Sequence, residues 1–114
     1  MTAREEIAAA ASTVEGVECS PTYQVQTTPG QAYVQWMRTE YPNRLGGEDY
    51  WAVIVTLPSD AAAAQEWIEA HKAALVAALK TELIVTQALP QISPETDNPS
   101  KKILAVEGHR ESEE

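Results

Sequence analysis

Cys19, His71 and His109 carry the widest chemistry in this chain. A thiolate attacks electrophiles, an imidazole takes up a proton, and both bind zinc. Their intervals match neither a helical nor a turn spacing that would assemble a site. His71 falls on a helical apolar stripe and reads as a packing residue, while His109 falls in a charged C-terminal run and reads as solvent-exposed. Cys19 follows Glu18, whose negative charge opposes thiolate formation, so the thiol reads as a small apolar group on a strand. Two acidic pairs, Glu5 with Glu6 and Glu48 with Asp49, have the side chains for acid and base roles in hydrolysis. Adjacent residues point in different directions on a helix or a strand, so both pairs read as solvated charge.

Trp36 and Trp51 offer aromatic faces for stacking a ligand, yet no polar cluster converges with them. Tryptophans on paired strands stabilise a sheet by packing across it, so Trp36 and Trp51 read as packing residues of the sheet or of a subunit interface. Gly46-Gly47 lacks the helix start that a phosphate-binding loop needs and reads as a turn. No catalytic, cofactor-binding or metal-binding residue is nominated, and the chain is not expected to be an enzyme.

The elements that must position these residues follow from pattern. Thr2-Ala3-Arg4-Glu5 has the form of a capping box and predicts a short first helix, with Ile7, Ala11 and Val14 on one apolar face and Gly16 ending it in a left-handed cap. From Val17 the period changes to two. Val17, Cys19, Pro21, Tyr23 and Val25 alternate with polar residues down to Gln26, predicting a half-buried strand with Pro21 at an edge or a bulge. Thr27-Thr28-Pro29-Gly30 reverses the chain. Strands from about Ala32 to Tyr41 and from about Tyr50 to Leu57, joined by Pro42 to Gly47, complete a three-stranded meander. Both faces of the third strand are apolar, which predicts helices over one side and leaves the other for another subunit.

Ser59 or Asp60 caps a second helix running to about Lys80, with Ala64, Trp67, Ile68, His71, Ala74, Leu75, Ala78 and Leu79 on its apolar stripe. Leu83 to Leu89 and Lys102 to Gly108 read as a fourth and a fifth strand that pair, separated by a proline-rich connection from Pro90 to Lys101. Glu107 to Glu114 reads as a frayed, solvated tail. The fold class is α+β: a mainly antiparallel sheet of about five strands packed with two helices, in the order α-β-β-β-α-β-β. Trp51, Val53, Trp67, Ile68, Leu75 and Leu79 are the predicted core.

At 114 residues the chain has room for one hydrophobic core, read as a single domain over residues 1–110 with a charged tail at 111–114. Its 44% hydrophobic and 22% charged residues are those of a folding domain. A formal charge of -9 argues against specific nucleic-acid binding, because phosphate affinity comes mainly from lysine and arginine displacing counterions. A lone cysteine cannot close an internal disulfide, and no basic start with an apolar run marks a secretory signal, so cytosolic synthesis is expected. No apolar stretch approaches the roughly 20 residues that span a bilayer.

Tyr41-Pro42-Asn43-Arg44-Leu45-Gly46-Gly47 in the predicted turn and Val106-Glu107-Gly108-His109-Arg110 at the end, set in this order of elements, resemble the tail terminator proteins of actinobacteriophages. The resemblance covers nearly the whole chain. It implies a ring, typically of six subunits, at the head-proximal end of the virion tail, which caps the tail tube protein, ends its polymerisation and meets the head-tail connector protein. It supplies no catalytic residues and no cofactor, and DNA passes through such a ring without specific binding. The subunit or tube interface is placed by inference at Trp36, Arg44 and Leu45 on the hairpin and at Ile92, Pro94, Pro99 and Lys101 in the proline-rich connection, read as a stiffened arm. The alternatives are another neck or head-closure subunit, and a small α+β ligand-binding domain or enzyme.

Overall fold

The structure, a computed structural model, describes residues 2–23, 28–43, 46–92 and 102–112. Seven elements follow in the predicted order α-β-β-β-α-β-β. Helix α1 (Ala3–Ser12) opens with the capping box: Thr2 Oγ1 accepts from the Glu5 amide at 3.2 Å, and the Glu5 carboxylate accepts from the Thr2 amide at 3.1 Å. The Thr2 amide first, and its hydroxyl second, hold the Glu5 carboxyl below its ordinary range. Ile7, Ala11 and Val14 are buried. The helix stops before Gly16, because Thr13 closes it by donating both its amide and its hydroxyl to the Ala10 carbonyl. Gly16, at φ +88°, turns the chain onward instead.

Strand β1 (Glu18–Ser20) departs from the predicted meander: it is three residues long and runs parallel to β2 (Gln31–Asn43), with Glu18 opposite Gln31. Pro21 has no amide hydrogen with which to extend the ladder. Arg4 donates to the carbonyls of Pro21 and Val34, each at 3.0 Å, so a guanidinium stands where the next strand-to-strand bond would form. The predicted strand positions Gln24, Val25 and Gln26 lie outside the described residues.

β2 pairs antiparallel with β3 (Gly46–Thr56) as far as Asn43 opposite Gly46. Pro42, Gly46 and Gly47 therefore belong to the strands, and the ladder replaces most of the predicted turn. Bulges interrupt it between Trp36 and Arg38 and between Glu40 and Asn43. Helix α2 (Ala61–Leu79) is capped by Asp60, whose carboxylate accepts from the Ala63 amide at 2.9 Å.

β4 (Ile84–Ile92) and β5 (Lys102–Glu111) pair antiparallel from Ile84 opposite His109 to Ile92 opposite Lys102. Pro90 lies within β4, tolerated because β4 is an edge strand, so the connection shortens to residues 93–101. The predicted frayed tail is mostly strand. β5 continues to Glu111, the Ser112 amide donates to the Gly47 carbonyl at 2.9 Å, and Arg110 reaches Glu6 at 3.6 Å and Glu82 at 3.4 Å. Ladder bonds and these two carboxylates hold what charge alone would have frayed.

The sheet order is β1-β2-β3-β5-β4, mixed only through β1. Both helices pack on one face, over Ala32, Val34, Trp51, Val53, Val55, Leu57, Leu104 and Val106. Trp51, Val53, Leu75 and Leu79 are buried there, and Trp67 and Ile68 pack against them partly buried. Ala74, assigned to the helix stripe, is exposed. The second face carries a smaller cluster of Ala52, Ile54 and Ala105 flanked by Tyr33 and Ile103, with no helix over it among the described residues.

Candidate functional site

Cys19 sits half-buried on β1 against the core, and burial pushes its thiol up to about 12. Desolvation, rather than the neighbouring Glu18, is what disfavours the thiolate. A thiol so held is a poor nucleophile at neutral pH. His71 stacks on Trp67 with ring centroids 4.2 Å apart, and its Nδ1 lies 2.9 Å from the Trp67 carbonyl one turn earlier. Its Nε2 lies 3.1 Å from where a β-carbon on Gly16 would stand, so the imidazole fills the space beside the α1-to-β1 turn. The acidic pairs separate: Glu5 caps α1 while Glu6 faces Arg110, and Glu48 faces His109 while Asp49 accepts from Thr39. No group of three metal-ligating side chains comes together among the described residues.

His109 is the residue that sequence reasoning misplaced. It stands on the second face of the sheet in a row that crosses three strands. Its Nδ1 lies 2.5 Å from Glu48 Oε1, its ring lies 5.1 Å from that of Tyr50, and the Arg38 guanidinium lies 4.0 Å over Tyr50. Arg38 in turn donates to Glu40 at 2.6 Å, and that carboxylate raises the guanidinium further above its ordinary value. The row is a set of cross-strand pairs of the kind that stiffens a sheet. Its signal was present in the alternation of Val106 and Gly108 with Glu107 and His109, hidden because the acidic residues resemble a tail.

Trp36 pairs across the ladder with Trp51 on the helix-bearing side, but the two differ in burial. Trp51 is buried beneath Arg4, whose guanidinium lies 5.3 Å over its ring, and its indole nitrogen meets no acceptor among the described residues. Trp36, 50% exposed, lies on β2 beyond the buried Ala32 and Val34, toward the turn, and donates to Thr39 Oγ1 at 3.2 Å. A shallow groove of about 290 Å³ runs between α2 and the β4 edge, lined by Leu57, Ala61, Ala64, Gln65, Ile68, Pro90 and Lys102.

Of the assigned interface residues, Trp36 is thus a surface aromatic and Ile92 the last residue of β4, opposite Lys102. Arg44, Leu45, Pro94, Pro99 and Lys101 lie outside the described residues. No helix is long and apolar enough to cross a membrane among the described residues. The arrangement can present an apolar and aromatic surface around a rigid sheet. Compared with protein-family models and with curated proteins, the chain matches none.

Proposed function

We propose that the chain is a structural virion subunit that closes the head-proximal end of a phage tail tube as a ring, ends tube polymerisation and joins the tail to the head connector. The observation that carries this reading is the one-sided sheet. Among the described residues both helices lie on one face, while the other face carries the smaller cluster of Ala52, Ile54 and Ala105, already buried, beside the partly buried Tyr33 and Ile103 and the Arg38-Tyr50-His109-Glu48 row. A sheet with helices on one face and with Trp36, Met37 and Tyr41 exposed on β2 and Ile84 and Leu89 exposed on β4 is suited to packing against another protein surface. The resemblance of Tyr41 to Gly47 and of Val106 to Arg110 to tail terminators supports a tail-capping ring as that assembly. The charge of -9 is compatible with it, since an acidic ring around a DNA conduit repels the phosphate backbone.

Electron micrographs of tails assembled with and without the protein test the role. Tubes of uncontrolled length in its absence support a terminator. Tubes of normal length that fail to join heads assign the chain to head closure instead. Tails of normal length that join heads normally overturn both.

A further inference from the structure

The exposed large hydrophobic side chains of the described residues are not scattered. Apart from Tyr23, they lie on two strands: Trp36, Met37 and Tyr41 on β2, and Ile84 and Leu89 on β4. These strands are at opposite sides of the sheet. β4 is the edge on one side, and on the other the three-residue β1 covers β2 only from Gln31 to Tyr33. Beyond the Arg4 contact to Val34, residues 35–40 have no strand on their outer side among the described residues. Edges of this kind expose a row of backbone donors and acceptors, and proteins that stay monomeric blunt them with lysines or inward charge. β4 carries Pro90 and a bulge between Val85 and Gln87 but none of those charges: its nine residues include no ionisable side chain, in a chain where 22% are charged.

We infer that these two edges are made for one another: the outer edge of β2 in one copy of this chain pairs with β4 of the next, extending the sheet from subunit to subunit. Direction supports it. β2, β3, β5 and β4 alternate in direction across the sheet, so β2 and β4 run oppositely. A rotation about an axis along the strands keeps those directions and sets β4 of one copy antiparallel to β2 of its neighbour. Charge supports it too. Two copies at -9 repel, yet on this contact β4 is neutral and the charges of β2 between 35 and 40, Arg38 and Glu40, cancel in a 2.6 Å pair. The contact is head-to-tail, so an open chain of copies keeps one unused edge at each end until a ring closes. Pro90 lacks an amide hydrogen and limits the paired part of β4 to its first six residues, Ile84 to Leu89.

This inference deepens the proposed ring, naming its contact, but its test needs no tails. Met37→Lys spoils the β2 edge and Leu89→Lys the β4 edge, both at side chains already partly exposed. By sedimentation at the highest soluble concentration, the wild type should form closed oligomers and each variant alone should be monomeric with an unchanged circular dichroism spectrum. An equimolar mixture of the two variants should form a heterodimer, because one intact β2 edge and one intact β4 edge remain. Amide exchange in that heterodimer should slow at residues 84–89 of one chain and 35–40 of the other. If Leu89→Lys loses the native spectrum, Ile84→Lys, at a side chain 62% exposed, takes its place in the mixture. A wild type that stays monomeric, variants that still form closed oligomers, or a mixture that stays monomeric would each overturn the edge-to-edge contact. Heterodimers with tails unaffected by loss of the protein would leave the contact standing and remove the terminator role.

Discussion

Leu75 is fully buried where α2 meets the sheet, so truncating it leaves a void that surrounding side chains fill only in part. Leu75→Ala should cost about 2 to 5 kcal/mol, read as a lowered denaturant midpoint at unchanged slope. A loss below about 1 kcal/mol would mean that the helix face is loosely packed. Cys19 gives a pH signature. Below pH about 9 folded and unfolded chains both keep the thiol proton; above it the unfolded chain releases the proton while the folded chain holds it to about 12. The unfolded state then binds fewer protons than the folded one, so the thiol's contribution falls as pH rises through that window. Cys19→Ala should remove this part of the alkaline loss, measured as a smaller drop in urea midpoint between pH about 8 and about 11 than the wild type shows. Residue types alone made Cys19 legible as a packing group. They did not reveal His109, because its partner Glu48 is distant in sequence and only the β3–β5 register brings them together.

At the scale of elements, local signals read well wherever one pattern acted alone. The capping box and the alternation along β3 are where their spacing put them. Two competing interactions hid the rest: an arginine from α1 ended β1, and ladder bonds recruited the acidic end into β5. Gly108 marks the clearest of these long-range constraints. A β-carbon there would stand 2.8 Å from the Ile84 carbonyl oxygen and 3.1 Å from the Leu83 β-carbon, beside the bulge between Val85 and Gln87. The obstacle is backbone, which cannot swing aside like a flexible side chain. Gly108→Ala should therefore push β4 outward and destabilise by about 1 to 3 kcal/mol. Thermal unfolding would show it, and amide exchange should quicken first along β4. An unchanged melting temperature would mean that β4 rides free of β5 at this point. Asp60→Ala, by contrast, removes one helix cap and should cost about 1 kcal/mol without changing which amides exchange.

For the molecule as a whole, the proline-rich connection between β4 and β5 is where a test can separate folding from the proposed assembly. Ile92 already faces Lys102 in the ladder, so the two strands meet before the connection begins. A turn of about 2 to 5 residues suffices to join strands that close this way, and residues 93–101 exceed that length. In the proposed ring that excess length would serve contact with a neighbouring subunit or with the last ring of the tube, and long connections in small domains are frequently binding loops. Replacing residues 93–101 with a short glycine-serine turn should keep the circular dichroism spectrum and melting temperature of the wild type, since the β4–β5 ladder and the helix-side core are untouched. Incorporation into tails should be lost if Pro94, Pro99 and Lys101 belong to the contact surface. Because the edge pairing of β2 with β4 lies elsewhere, the shortened chain should still form heterodimers and rings in solution. Normal incorporation and normal tail length would reduce the segment to a connector and leave the hairpin and sheet edges to carry the assembly.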